Sequence, residues 1–184
     1  MDAPVEDIVA GYGRACHELD AYLQHATPAQ LGAPSAGTRW TNEELLFHMV
    51  FGYMVVRVLL PLVRIVGRLP RSWARGFAHA LNATTPAFDV VNYWGSVAAA
   101  KVYNRRRMLR KMETTTQALA GRLGRESAAS LDRGMDFPTR WDPFFTPAMS
   151  LADVYAYPTL HFDFHARQLT LVAPGDPQAP GSAA

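Results

Sequence analysis

Cysteine and net charge are both scarce in this chain of 184 residues, and lysine is limited to two positions. The one cysteine, Cys16, excludes an internal disulfide framework and fits a reducing cytoplasm. Because Cys16 falls within an apolar helical pattern, we interpret it as a small core residue rather than a nucleophile. The net charge of +2 is too small to favour nucleic acid as a partner.

Long uncharged apolar runs and targeting signals are also missing. The most apolar stretch, Met54–Val66, contains Arg57 and Arg64, whereas a transmembrane helix needs about 20 mostly apolar residues. At about 100° per residue, both arginines lie roughly opposite His48 on a helix. We therefore predict a core helix with one solvated edge and no membrane span. The first residues lack the basic-then-apolar layout of a signal peptide, so we expect a cytoplasmic protein.

Several motifs of catalysis and ligand binding are absent from the sequence. It contains no Ser-His-Asp arrangement, no glycine-rich phosphate loop and no dinucleotide-binding fingerprint. The run Arg105–Arg107 offers three positive charges, but consecutive helical positions fan out over about 200° and cannot all address one ligand. We therefore interpret this run as a solvated helix face rather than an anion site.

What the sequence does contain is strong helical periodicity. Apolar spacing, N-cap residues and helix breakers predict four long helices: one at 5–25, one from Thr41 with a kink or an end near Pro61, one at 96–123 and one at 150–171. No strand pattern is convincing, and a loop is predicted over 134–147. With 49% hydrophobic residues, the chain is able to bury a proper core.

Residues 67–95 are less regular and are predicted to form an insertion between the second and third helices. A short helix is predicted within 70–81, and a loop over 82–92. The pattern as a whole predicts an all-α fold, a four-helix bundle over residues 1–173. Residues 174–184, rich in Pro, Gly, Ser and Ala, are predicted to be a disordered tail.

Two of the predicted helices begin with capping boxes. The pairs are Thr41 with Glu44 and Ser150 with Asp153. Within each pair, the side-chain oxygen of one residue accepts a hydrogen bond from the backbone N–H of the other. Glu44 also lies one turn before His48. We prefer the capping role for Glu44 to a role as hydrogen-bond acceptor for that histidine.

Three histidines form the most informative constellation. His161 and His165 are four residues apart in a predicted helix, so both imidazoles lie on one face and are able to reach one metal ion. His48 lies more than a hundred residues earlier, on the inner face of another predicted helix. If the fold joins them, the three nitrogens leave one coordination position open, which is the usual layout of a catalytic metal site.

Two interpretations of the histidines remain open from spacing alone. Either they are half-buried core residues satisfied by hydroxyls or water, or they bind a divalent ion such as Zn²⁺, Ni²⁺ or Fe²⁺. No inward carboxylate is evident as a fourth ligand, so water is expected there. Tyr157, one turn before His161 on the same face, is our candidate catalytic residue, as a proton donor or an orienting hydroxyl. Core packing is the alternative for Tyr157.

Aromatic residues are predicted to surround the site. Trp40 and Trp141 are expected to flank its entrance. A pocket roofed by aromatic residues of the insertion would suit a larger apolar substrate, and the candidates for this roof are Trp73, Phe77, Phe88 and Trp94. The alternative is that these rings only pack the insertion.

In three short motifs the chain resembles the DinB-like superfamily. The motifs are Trp40-Thr-Asn-Glu-Glu-Leu-Leu-Phe-His48, Pro147-Ala-Met-Ser150-Leu-Ala-Asp-Val and His161-Phe-Asp-Phe-His165-Ala-Arg-Gln-Leu169. Their order and separation cover the helices from about Val5 to Leu171. The superfamily includes bacterial thiol S-transferases and the N-terminal domain of mycothiol-dependent maleylpyruvate isomerase. The chain departs from the plain pattern in residues 68–92 and in the apolar end of the second helix.

The resemblance implies an up-down-down-up four-helix bundle, often homodimeric, with a divalent metal held by His48, His161 and His165. It also implies an enzyme that joins a low-molecular-weight thiol to an electrophilic small molecule, or uses that thiol as a cofactor. Because the arginine- and alanine-rich composition indicates a high-GC bacterial source, the expected thiol is mycothiol. The alternatives are a metal-assisted isomerase or hydrolase, a biosynthetic enzyme acting on a hydrophobic metabolite, and a non-catalytic stress-associated binding bundle.

Overall fold

Helices make up most of the protein. The computed structural model describes residues 5–68 and 70–171, so the tail predicted at 174–184 lies outside the described residues. The described part contains eight helices: α1 (Val5–His25), α2 (Pro28–Gly32), α3 (Asn42–Val66), α4 (Arg71–Ala83), α5 (Thr85–Val102), α6 (Arg105–Leu123), α7 (Ala128–Leu131) and α8 (Leu151–Ala166). The predicted all-α class is confirmed.

Four of the long helices enclose the core. Helix α3 packs against α6 and α8, and α1 packs against the same two helices. Helix α5 lies against α3, and α4 contacts α5. The fully buried side chains come mainly from the four enclosing helices, and examples are Tyr12, Leu19, Met49, Met112 and Phe162.

The two helices that carry the predicted metal ligands begin at capping boxes. At the start of α3 the Thr41 hydroxyl accepts from the Glu44 N–H at 3.3 Å, and the Glu44 carboxylate accepts from the Thr41 N–H at 2.9 Å. Ser150 and Asp153 make the same reciprocal pair at the start of α8. Both predicted boxes are confirmed. Each box fixes the residue at which its helix begins, and so the face on which the histidines lie.

The segment between α3 and α6 is more helical than predicted. Helix α4 confirms the short helix, but the loop predicted over 82–92 is wrong, because α5 begins at Thr85. Pro86 lies in the first turn of α5. Backbone N–H groups in a first turn make no intrahelical hydrogen bond, so proline is tolerated there. The single helix predicted over 96–123 is also wrong. Tyr103 is extended, and Asn104 caps α6 by accepting from the Arg107 N–H.

A short antiparallel hairpin replaces part of the loop predicted over 134–147. Its strands are β1 (Gly134–Asp136) and β2 (Ala148–Ser150), with Met135 opposite Met149. Three residues per strand are too few for the alternation that identifies strands in a sequence. The hairpin holds the two ends of segment 137–147 together beside the start of α8.

Helix α3 is the most apolar of the long helices. It continues past Pro61 to Val66, and by length and composition alone it could cross a membrane. Core helices of soluble proteins pass the same test. Here α3 supplies fully buried residues such as Leu45, Met49 and Leu60, whereas Val58 and Ile65 in its C-terminal half are exposed.

Candidate metal centre

The structure brings the three predicted histidines together. His48 lies in the second turn of α3, and His161 and His165 lie near the end of α8, which stops at Ala166 rather than at the predicted Leu171. The ring centroids are 4.5, 4.7 and 4.8 Å apart. One ring nitrogen of each histidine lies within 4.8 Å of the other two. His48 and His161 are buried, with 3% and 4% of their surfaces exposed.

Helix α3 approaches α8 closely at Gly52, one turn after His48. A Cβ atom on Gly52 would lie 2.8 Å from Cδ2 and 3.3 Å from Nε2 of His161. Real Cβ atoms essentially never make contacts shorter than 3.0 Å. The missing side chain at Gly52 therefore provides the space that the His161 ring occupies.

Both histidines of α8 have a hydrogen-bond acceptor at Nδ1. The Asp142 carboxylate lies 3.1 Å from His161 Nδ1, and the Gln168 side-chain oxygen lies 2.6 Å from His165 Nδ1. Both oxygens accept the ring N–H, which places the proton on Nδ1 and leaves the Nε2 lone pair free.

His48 has a longer contact of the same kind with α5. Ser96 Oγ lies 3.4 Å from His48 Nδ1 and donates its own hydrogen to the Asn92 carbonyl, so it acts as the acceptor toward His48. Metal-bound histidines ordinarily have such a partner on the nitrogen that does not bind the metal. His161 Nε2 is buried and has no hydrogen-bond partner among the described residues. This is the condition expected of a nitrogen whose partner is a metal ion.

Two of the histidines are held neutral. Burial, reinforced by the neighbouring imidazoles, holds the pKa of His48 well below its usual value. Burial likewise lowers the pKa of His165 to about 4. Only the neutral imidazole has a lone pair to give to a metal, so the surroundings keep both side chains in the form that binds one.

Asp142 is a site residue that the sequence analysis missed. Burial acts to raise the pKa of Asp142, but the hydrogen bond and electrostatic interaction with His161, together with hydrogen bonds from the Phe144 N–H and the Tyr157 hydroxyl, outweigh it, and the pKa is lowered. Asp142 faces the site through His161 Nδ1, and the candidate ligand group among the described residues consists of the three histidines. Asp142 lies in the segment between β1 and β2, where no periodicity in the sequence shows which way a side chain points.

Tyr157 lies one turn before His161 and contacts the same carboxylate. Its hydroxyl donates to Asp142 Oδ2 at 2.8 Å and lies 3.3 Å from His161 Nδ1. Burial, together with the nearby Asp142 carboxylate, raises the pKa of Tyr157 well above its usual value. Of the two roles predicted for Tyr157, this arrangement suits an orienting hydroxyl better than a proton donor.

A cavity of about 170 Å³ adjoins the three histidines. Trp40 and Trp141 line it, as expected for residues near the entrance, together with Phe88 from α5. Phe88 and Trp141 stack face to face, with ring centroids 4.3 Å apart and planes inclined by 9°. Trp141 is fixed in turn by its Nε1–H, which donates to the Leu81 carbonyl at 2.8 Å.

Three of the four predicted roof residues lie outside this lining. Trp73 and Trp94 expose 69% and 61% of their surfaces, and Phe77 packs against the hydrophobic core. The prediction that these three rings roof the pocket is therefore wrong. The rings that do line it come from Trp40, from α3, α5 and α8, and from the segment between the strands.

The other candidate side chains do not converge on the site. Cys16 is half-buried on α1, with its thiol 3.3 Å from the Thr116 hydroxyl, and burial raises its pKa. This environment suits the predicted packing role. Arg105 donates to the Leu23 carbonyl at 3.0 Å and is thereby held against α1.

Comparison with known proteins identifies no relative. No protein-family model, no curated protein and no solved structure matches the chain.

Proposed function

We propose that this protein is a divalent-metal-dependent enzyme of the DinB-like type, and specifically a thiol S-transferase that uses a low-molecular-weight thiol such as mycothiol on a small-molecule substrate. The observation that carries the proposal is the meeting of His48, His161 and His165 from two helices, each with an acceptor at Nδ1. The mutual packing of α1, α3, α6 and α8 is what a four-helix bundle requires, and the up-down-down-up order is proposed from the resemblance.

The donor set fits Zn²⁺, Ni²⁺ or Fe²⁺, all of which accept imidazole nitrogens. Two nitrogens bound to one tetrahedral zinc ion lie about 3.3 Å apart. In this structure the three candidate nitrogens lie within 4.8 Å of one another. Side-chain rotations that close the set by about 1.5 Å or less would therefore satisfy the coordination distances.

A divalent ion held here would lower the pKa of a bound thiol or water and so supply a nucleophile near neutral pH. The surrounding residues orient and shield that ion. Asp142 holds His161 in the Nδ1–H form, and Tyr157 holds Asp142. Trp40 stacks on His48 with ring centroids 4.3 Å apart and covers one side of that ring. A substrate therefore approaches through the cavity rather than across this covered side.

The cavity favours an enzyme over a structural metal site. Structural zinc sites are closed by four protein ligands, whereas catalytic sites keep one position open. Three histidines beside a cavity match the second layout. Metal-assisted isomerisation or hydrolysis would use the same residues, and the choice of thiol transfer rests on the resemblance. The cytoplasmic location and the homodimer stay predictions.

Metal analysis of histidine variants tests the proposal. Protein purified without added metal is expected to contain close to one divalent ion per chain. His161→Ala is expected to lower metal content and thiol transfer to an electrophile such as monobromobimane together, because two remaining ligands hold the ion poorly. His48→Ala and His165→Ala are expected to behave alike. His79→Ala, an exposed position on α4, is the matched control. Full metal occupancy in His161→Ala would refute the ligand assignment.

A further inference from the structure

We propose that the cavity beside the three histidines takes one uncharged aromatic ring, so that the substrate is a small molecule presenting such a ring to the site. The inference rests on the proposed function only in naming that molecule a substrate. Binding of the ring depends on the cavity alone.

The volume of the cavity sets the size of the ligand. The cavity measures about 170 Å³, and an apolar protein cavity of about 150 Å³ binds one benzene molecule. A single six-membered ring with a small substituent therefore fits without movement of the walls. Two fused rings exceed this volume and would extend out of the open side of the cavity.

The walls of the cavity favour a planar ligand. Aromatic side chains approach from several sides, and they are Trp40, Phe51, Phe88, Trp141 and Phe145. Aromatic rings attract one another in offset-stacked or edge-to-face arrangements beyond the effect of buried area. A planar ring is therefore preferred to a saturated ring of the same size.

The polar groups of the lining disfavour an anionic ligand. Within the part of the chain that the structure describes, no lysine or arginine lines the cavity, and its one carboxylate, Asp142, already accepts from Tyr157 and His161. A ligand anion would have no positive side chain to offset its desolvation. A neutral ligand is better matched, because it loses less hydration than an anion on entering the cavity.

Four methoxy compounds test the inference: anisole, cyclohexyl methyl ether, methoxynaphthalene and para-methoxybenzoate. Binding to the full-length, metal-stripped chain is followed by ligand-observed NMR, so that no metal contributes. We expect anisole to bind about three- to tenfold more tightly than cyclohexyl methyl ether, and more than about tenfold more tightly than para-methoxybenzoate. Methoxynaphthalene is expected to bind more weakly than anisole. Equal or tighter binding of any of the other three compounds overturns the inference.

Two variants locate the ring. Phe88→Leu keeps the apolar volume but removes the stack on Trp141, and it is expected to weaken anisole binding by about three- to tenfold. Trp73→Ala, which removes an exposed ring of α4, is the control and is expected to leave anisole binding unchanged. Unchanged binding in Phe88→Leu would show that the ring is not held in this cavity.

Zinc uptake by the same preparations separates the two proposals. Full zinc uptake without selectivity for anisole overturns the ring inference and leaves the metal centre standing. Selectivity for anisole without zinc uptake upholds the ring inference and overturns the metal-dependent enzyme.

Discussion

The substitution Gly52→Ala is expected to disrupt metal binding while the protein stays folded. The new methyl group would lie 2.8 Å from His161 Cδ2, and ordinary contacts begin at 3.4 Å, so the ring must retreat by about 0.6 Å. The three nitrogens must draw together from as much as 4.8 Å to about 3.3 Å to share one ion, and a fixed methyl group against the His161 ring restricts that movement. The displaced ring also strains its 3.1 Å contact with Asp142, which orients it. We expect the affinity for zinc to fall by about 10- to 100-fold, the range found when a partner of a metal-bound histidine is lost.

The effect of Gly52→Ala on stability is expected to be smaller. Alanine in place of glycine stabilises a helix interior by about 0.5–1 kcal/mol. Forcing an extra methyl into a packed contact costs about 1–3 kcal/mol. The two effects oppose each other, and the net loss in the free energy of unfolding is about 1 kcal/mol. A fold with this core should tolerate such a loss.

Chelator competition for zinc and thermal unfolding measure the two effects separately. Gly13→Ala is the matched control, because Gly13 is an exposed residue of α1 and a Cβ there would meet nothing within 4 Å. The control is expected to raise the melting temperature and to leave zinc affinity unchanged. If Gly52→Ala binds zinc as the wild type does and is stabilised as much as Gly13→Ala, the His161 ring does not occupy the position described here.

Three further predictions concern other parts of the molecule. Asp142→Ala is expected to weaken zinc binding by about 10- to 100-fold in the same chelator assay, because His161 loses its acceptor, and an unchanged affinity would show that Asp142 does not orient the ring. Thr41→Ala is expected to lower the free energy of unfolding by about 1 kcal/mol, because α3 loses its cap; an unaltered denaturant midpoint would contradict this. Because burial raises its pKa, the Cys16 thiol is expected to react with iodoacetamide more slowly than a free cysteine at neutral pH and to accelerate only in more alkaline solution. Reaction at the rate of a free cysteine would argue against this burial.

Periodicity and capping predict α1, α3, the start of α8 and the faces of the histidines well. The reason is that both signals are local: an apolar stripe and a reciprocal cap such as Thr41 with Glu44 are complete within a few residues. Local signals also predicted the meeting of His161 with His165. The approach of His48 was a hypothesis from its inward face, and it needed the packing of α3 on α8 to be realised.

The errors arose where local signals are ambiguous or absent. Pro86 favours a loop in the sequence, but a proline is equally compatible with the first turn of a helix. The extended residue Tyr103 has no strong helix breaker beside it, so the sequence predicts one helix across the boundary between α5 and α6. Asp142 was missed because its direction is fixed by long-range contacts, namely the pairing of two very short strands and the bond from Trp141 to Leu81.

The hydrogen-bond acceptors of the three imidazoles lie in three separate segments of the chain. Ser96 belongs to α5, Asp142 to the span between the strands, and Gln168 to the turn after α8. A bound ion would therefore stabilise the positions of these three segments as well as those of α3 and α8. A shortened relative that had lost α5 would need a new anchor for its first imidazole, and one wall of its substrate chamber would be gone as well.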